Sequence, residues 1–213
     1  IAFGFGHTFI SYVKTIYNKP KSCILINGVT TDYFTLEAGV RQGDNFSCFL
    51  FILALEPLLL KILKNEYIHG IEIGDTEVKG VTYADDGNFF VRDEESLGEL
   101  FKVISDYGNA SGLKINAEKS EIMLLGQLRD KNRKSIQIKA GELSNFVVEI
   151  KSEITICGIT FAKDPEIMYQ RNFLDRLEKT KAQFNMWSTR NLTLEGRIII
   201  AKSLGISQVL YPL

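Results

Sequence analysis

Three features of the sequence predict an α+β fold. Short β-prone runs come in pairs around turn dipeptides, longer stretches carry apolar residues at helical spacing, and the C-terminal quarter is helical in pattern throughout. The first two alternate across residues 1–165 and the third occupies residues 166–213. The chain therefore divides into an α+β body and a helical end, with the boundary near Lys163-Asp164-Pro165.

A hydrophobic share of 45% and a charged share of 24% are ordinary for a globular chain, and 213 residues can bury a sizeable core. The net charge of −1 gives no global sign of nucleic-acid binding. Its distribution is uneven: residues 166–213 carry seven Lys/Arg against four Asp/Glu, and residues 1–165 carry eighteen against twenty-two. A basic end on an acidic body fits a part that touches phosphate backbones, although a solvated helix face has the same look and is commoner.

In chain order, GHTFISYVKTIYNKP places Phe9, Val13 and Ile16 on one helical face, with Pro20 after the stop. SCILINGVTTDYFTLEAGV reads as a hairpin closed by Asn27-Gly28. Asp44 or Asn45 is placed to cap a long helix through Leu63, which Pro57 should bend. IEIG, VKGVTYA and NFFVR are strands, the last two joined by a tight turn with Asp85-Asp86-Gly87 at its tip and Gly87 taking the positive φ. Leu97, Leu100, Phe101, Ile104 and Tyr107 define a clean amphipathic helix with Glu94 and Glu95 in its first turn. SGLKIN then feeds the strand SEIMLLG. Residues 127–153 offer little beyond a basic start, RDKNRK, and the β-like pieces IQIKA and FVVEI; ITICGITFA reads as one strand with a central glycine. Beyond Glu166, Phe173, Leu177, Phe184 and Trp187 share a helical face, and Thr193 should cap a last helix containing GRIIIAKSL.

Cys23, Cys48 and Cys157 form no CxxC pair, and with only His7 and His69 there is no zinc pattern. The absence of a disulfide pattern points to a reducing compartment. The most apolar run, CFLFILALEPLLL, is interrupted by Glu56 and Pro57 and is shorter than the roughly 20 residues a membrane span needs, so a core helix and no membrane partner are expected. The chain opens on Ile1 without a signal-peptide pattern and is expected to be a piece of something longer.

TYADDGNFF, residues 82–90, carries two adjacent aspartates in an apolar, β-prone run. Taken alone the nine residues favour a plain hairpin turn; the other reading is a divalent-metal site, because paired carboxylates are the hard oxygen ligands that Mg²⁺ takes beside phosphates.

GVRQGDNFSCFLFILALEPLLL, then YADD, then SGLKINAEKSE, then a strand with a central glycine and a helix ending in Trp, with GR beyond it: in this order the chain resembles the reverse transcriptase of LINE-type (non-LTR) retrotransposons, an RNA-directed DNA polymerase, over nearly its whole length. The resemblance implies a polymerase palm, an antiparallel sheet with helices on one face, over residues 1–165 and a partial helical thumb over 166–213. It implies that Asp85 is a ligand of two catalytic Mg²⁺ ions and that Asp86 assists. Tyr83 and Ala84 would pack beside the primer terminus and incoming nucleotide; Gln42 and Gly43 would border the new base pair, with Arg41 steadying that nucleotide- and template-binding loop. Lys119 would be the acid for the pyrophosphate leaving group, although a solvated lysine at a turn remains an equal alternative. Cys157, Gly158 and Ile159 fall where the family has its primer grip, and Arg171, Lys179, Lys181 and Arg190 would face the product duplex. The implied partners are an RNA template, a DNA primer, deoxynucleoside triphosphates and the N-terminal portion of the same polyprotein; the implied place of action is intracellular.

The family's other metal-binding aspartate lies on a strand before FGFG, so a third carboxylate ligand and the fingers are expected upstream of Ile1, and the chain alone is expected not to polymerise. Asn45 and Cys48 replace two prolines common in the family, Gly87 the usual small polar residue after YADD, and Cys157 the leucine of the primer grip. These departures keep two further readings open, a non-catalytic element-derived nucleic-acid-binding fragment and a non-functional relic.

Overall fold

The computed structural model describes residues 3–129, 133–140 and 144–211. The chain falls into two compact units, Ile1–Pro57 and Leu58–Leu213.

In the first unit, helix α1 (His7–Ile16) is followed by two small ribbons, β1 (Lys21–Ser22) with β4 (Phe34–Thr35) and, inside it, β2 (Leu25–Ile26) with β3 (Val29–Thr30). Asn27 and Gly28 close the inner ribbon at φ 50° and 84°, the pair of positive values that a two-residue hairpin turn requires. Phe9 stacks on Phe5 at 4.5 Å and meets the edge of Phe46 at 5.5 Å, tying α1 to the start of helix α2 (Asn45–Leu63). Asp44 is the cap: its Oδ1 accepts from the Phe46 amide at 3.1 Å and its Oδ2 from the Ser47 hydroxyl at 3.3 Å. Pro57 lies within α2 and has no amide to offer the Leu53 carbonyl.

The expectation of a core helix holds for one side of α2. Leu58 and Ile62 are buried, whereas Phe49 is 64% exposed and Ile52 50%. The reason is that α2 is apolar around its whole circumference, so a single packed face leaves apolar residues outside. At 19 residues it is long and apolar enough, by length and composition alone, to cross a membrane.

The second unit holds the β5 (Ile71–Ile73) and β6 (Thr76–Val78) ribbon, the β7 (Gly80–Tyr83) and β8 (Asp86–Phe89) ribbon, and helix α3 (Glu94–Ser111). It continues through β9 (Glu121–Ile122), β10 (Ser135–Ala140) and β11 (Ser144–Ile150). β11 pairs antiparallel with β10 and parallel with β9, making a three-stranded sheet. Its alternation is clean: Ile136, Ile138 and Val148 are buried while Gln137, Lys139 and Glu149 are exposed. These residues pack with Leu97, Phe101 and Leu124, and the Phe101 and Phe146 rings lie 5.4 Å apart. Residues 127–153, nearly silent as sequence, thus supply half of the buried residues in this cluster; RDKNRK lies partly outside the described residues.

ITICGITFA is not one strand but a hairpin, β12 (Glu153–Ile156) with β13 (Ile159–Ala162), because Cys157 and Gly158 take φ 48° and 78° and reverse the chain. Next, α4 (Pro165–Tyr169), a π-helical stretch (Gln170–Leu174) and α5 (Asp175–Ser188) run on without a break. α6 (Leu194–Ile200), a second π-helical stretch (Ala201–Ile206) and α7 (Ser207–Leu210) complete the described chain. Asp164 caps α4, and the Thr193 hydroxyl accepts from the Gly196 amide at 3.2 Å to cap α6.

Two predictions follow from the packing of α3. Ile138→Ala should lower stability by about 2–5 kcal/mol, read as a shift in the urea midpoint at unchanged slope. Asp93 caps α3, its Oδ1 accepting from the Ser96 amide at 2.8 Å, and hydrogen bonds from the Ser96 hydroxyl and amide hold its carboxyl below the usual aspartate range. A depressed carboxylate stabilises the fold above its unfolded pKa of about 3.9 and loses that effect as pH falls through the lower folded value. Asp93→Ala should therefore cost about 1 kcal/mol at pH 7 and progressively less below about pH 4, by denaturation at the two pH values.

Candidate functional site

The β7–β8 hairpin pairs Gly80 with Phe89, Val81 with Asn88, Thr82 with Gly87 and Tyr83 with Asp86. This register leaves only Ala84 and Asp85 in the turn, so Asp86 is the first residue of β8 and the expected Asp85-Asp86-Gly87 tip is shifted by one residue. Ala84, at φ 53°, supplies the left-handed conformation that Gly87 was expected to take. Gly87 has a different use. Together with Gly80 it leaves room for the Phe89 ring: a Cβ on Gly80 would come within 2.6 Å of that ring, and one on Gly87 within 2.8 Å.

Asp85 and Asp86 are both exposed, and neither carboxylate has an ion pair among the described residues. They offer adjacent hard-oxygen donors open to solvent, a donor set that suits a divalent cation sharing its shell with phosphate and water. Among the described residues no group of three or more His, Cys, Asp or Glu side chains gathers, so the two aspartates fit part of a metal site. Tyr83, on the strand leading into the turn, is 74% exposed, and Ala84 is exposed beside it.

The root of this hairpin is held by contacts that have no signature in the sequence. The Lys79 ammonium, buried with the residue 8% exposed, donates to the Leu63 carbonyl at 3.1 Å and the Asn65 carbonyl at 2.8 Å, and meets the Glu77 carboxylate at 3.5 Å. It thereby satisfies the orphan carbonyl of Leu63, the last residue of α2, and adds to the 3.4 Å bond that the Asn65 carbonyl accepts from the Ile68 amide. Glu77 in turn accepts from the Gly70 amide at 2.8 Å, the main reason its carboxyl lies below the usual range. On the other strand, the Phe90 amide donates to the Lys79 carbonyl at 2.9 Å and the Arg92 amide to the His69 carbonyl at 2.9 Å, just before the Asp93 cap. The His69 amide donates to the hydroxyl of fully buried Ser96 at 3.0 Å.

The other sequence-derived residues are spread over separate elements. Arg41, Gln42 and Gly43 belong to the exposed loop of the first unit before α2. Gly43 takes φ 81°, and a side chain there would meet open space, so the conformation is what asks for glycine. Arg41 also lines an open pocket of about 160 Å³ with Tyr17, Pro20, Leu36 and Glu37. Lys119 ends a 3₁₀ turn (Ala117–Lys119) capped by Asn116; its side chain is exposed and takes no ion pair among the described residues. Cys157 and Gly158 form the turn of β12–β13, and Ile159 is the first residue of β13. Arg171 is engaged twice, with Glu153 at 3.4 Å and Asp175 at 3.4 Å, and the hydrogen bond to Glu153 leads the causes that raise its pKa. Lys179 and Lys181 are exposed on α5, and the Arg190 guanidinium stacks over the Trp187 ring at 4.7 Å.

Comparison with known proteins gives a consistent result. The family model for reverse transcriptase (RNA-dependent DNA polymerase) matches residues 2–184. The chain is 27% identical over 216 aligned positions to the Transposon TX1 uncharacterized 149 kDa protein of Xenopus laevis, covering 100% of this chain and 16% of that protein. It is 30% identical over 118 residues to a retrovirus-related Pol polyprotein from a type-2 retrotransposable element of Drosophila melanogaster, covering 55% of this chain and 11% of that one. A retrovirus-related Pol polyprotein from a type-1 retrotransposable element of Bradysia coprophila is 29% identical over 145 residues, covering 65% of this chain and 16% of its own length. The chain thus spans less than a fifth of each of these relatives.

The anchoring of the hairpin root predicts that Lys79→Met, which keeps the aliphatic stem but takes the ammonium from the Leu63 carbonyl and leaves the Asn65 carbonyl only the 3.4 Å bond from the Ile68 amide, lowers stability by about 1–3 kcal/mol in urea unfolding.

Proposed function

The chain belongs to the reverse transcriptase family, with non-LTR retrotransposon polyproteins among its relatives, and on that premise we propose that it forms the palm and part of the thumb of an RNA-directed DNA polymerase. The observation that carries this reading is the tip of the β7–β8 hairpin, where Asp85 in the turn and Asp86 at the start of β8 present two adjacent, exposed carboxylates on a two-strand support inside the span of the family match. The palm corresponds to residues 1–165 and the thumb to 166–213. The reaction is template-directed transfer of a deoxynucleotide to a primer 3′-OH.

Asp85, with Asp86 assisting, would hold the divalent cations, Mg²⁺ in this proposal; bound there, they lower the pKa of the primer hydroxyl and neutralise the triphosphate. Two carboxylates are part of such a donor set, and a further carboxylate would complete it. The protein's own groups bind and orient the substrates. Tyr83, exposed beside the turn, offers an aromatic face to the primer terminus, and Ala84 keeps the approach to Asp85 free of a bulky side chain. Gly43 brings bare backbone, and Gln42 and Arg41 polar side chains, to the nascent base pair. The Lys119 ammonium is free to give its proton to the departing pyrophosphate. Lys179, Lys181 and Arg190 are free to meet duplex phosphates, whereas a phosphate at Arg171 would compete with Glu153 and Asp175.

The test is primer extension on an RNA template by the longer protein that carries this chain. Asp85→Asn should lower Mg²⁺-dependent extension by about a hundred- to a thousandfold, on the order expected when electrostatic stabilisation of the transition state is removed, while the variant still binds primer–template. Extension that survives Asp85→Asn, or that does not need a divalent cation, would overturn the reading.

A further inference from the structure

The β12–β13 hairpin is fastened to the helices that follow it along its whole length. At its base, Arg171 reaches both carboxylate oxygens of Glu153, at 3.4 and 3.5 Å. On β13, Asn172 acts as a substitute strand: its Oδ1 accepts from the Thr160 amide at 2.8 Å and its Nδ2 donates to the Thr160 carbonyl at 2.7 Å, with the residue only 7% exposed. At the tip, Arg176 Nη2 donates to the Gly158 carbonyl, and the Tyr211 hydroxyl donates to the Cys157 carbonyl at 2.6 Å.

The tip contacts differ from the others in kind. Ile156 and Ile159 are the last paired residues of the ladder, so the two central residues of the turn have no partner strand. Their carbonyls are the two that Tyr211 and Arg176 take. Every peptide bond described is trans, so fixing a carbonyl aims the amide of the following residue the opposite way. With the Cys157 carbonyl held by Tyr211, the Gly158 N–H faces away from the helices, and no hydrogen bond occupies it among the described residues. An outward N–H beside a glycine, with both neighbouring carbonyls turned back, suits an anionic oxygen and would repel one if the peptide planes flipped.

We propose that Arg176 and Tyr211 are positioning residues for the primer strand: they orient the Cys157–Gly158 turn so that its amide face meets a primer phosphate. This rests on the reading that the turn lies against the primer. Neither residue touches the reacting atoms. Because Arg176 lies on α5 and Tyr211 just beyond α7, the turn is oriented by the helical end rather than by the body whose strands carry it.

The experiment is primer–template binding and extension by the longer protein carrying this chain, with Tyr211→Phe, Arg176→Ala and Arg176→Lys. Tyr211→Phe removes one oxygen from an exposed side chain, and thermal unfolding checks that the fold is kept. Tyr211→Phe and Arg176→Ala should each raise the KM for primer–template, and its dissociation constant without nucleotide, by about five- to tenfold, the order of one lost hydrogen bond. The kcat at saturating primer–template should change less than twofold, and Arg176→Lys, which restores a donor, should recover most of the binding. Folded variants that bind as the parent does, or that lower kcat at unchanged KM, would overturn the proposal. A parent protein that binds primer–template but never extends it would instead count against the polymerase reading, and the binding arm would still decide this one.

Discussion

Two carboxylates on neighbouring residues repel each other, and in this chain the hairpin that carries them keeps them together with no ion-pair partner among the described residues. In water the repulsion is modest, on the order of 1 kcal/mol at 4 Å, but it acts at the end of a ribbon only two strands wide. Such ribbons are marginal by themselves. Everything around the β7–β8 ribbon answers that weakness at the root: the Phe89 ring laid against Gly80 and Gly87, the Lys79 ammonium on the carbonyls at the end of α2, and the Asp93 cap that ties the exit of β8 to α3. The turn can then remain exposed and charged because its stability is supplied elsewhere.

The same economy of strands recurs in β12–β13. Here too a two-residue turn stands at the end of an isolated pair, with a non-glycine residue, Cys157, at positive φ as Ala84 is in the first. The support differs. β7–β8 is held from its root, whereas β12–β13 is held along its whole length, by Arg171 at the base, Asn172 at the side, and Arg176 and Tyr211 at the tip. One turn presents carboxylates and the other presents an amide with its carbonyls occupied. In the proposed polymerase the first turn would hold a cation and the second would face an anion, the arrangement that joining a nucleotide to a primer asks for.

How legible this was depends on the distance over which each element is determined. Local signals were sound: Asn27-Gly28 for a hairpin, Asp44 and Thr193 for caps, and the Leu97–Tyr107 spacing for α3 all describe the structure. The errors were of register. Alternation alone could not say whether Asp86 ends a turn or begins a strand, and a single residue decides that. Cys-Gly is a weaker turn signal than Asn-Gly, so ITICGITFA read as continuous. The core of the second unit was missed because Ile136, Ile138 and Val148 gain meaning only when packed against α3, far away in the chain. Of the candidate site, the two aspartates and the Cys157-Gly158 pair were visible as motifs, while Lys79, Arg176 and Tyr211 were not, since a lone basic or aromatic residue has no local pattern to mark it.

The central claim is that the Ala84–Asp85 turn is a divalent-cation site, and a Mn²⁺ titration of the isotope-labelled protein followed by amide NMR tests it without relying on activity. The account predicts that amide signals of residues 83–88 broaden first and selectively, and that Asp85→Asn abolishes the effect. Broadening spread over the acidic surface, or centred elsewhere and indifferent to Asp85→Asn, would contradict it.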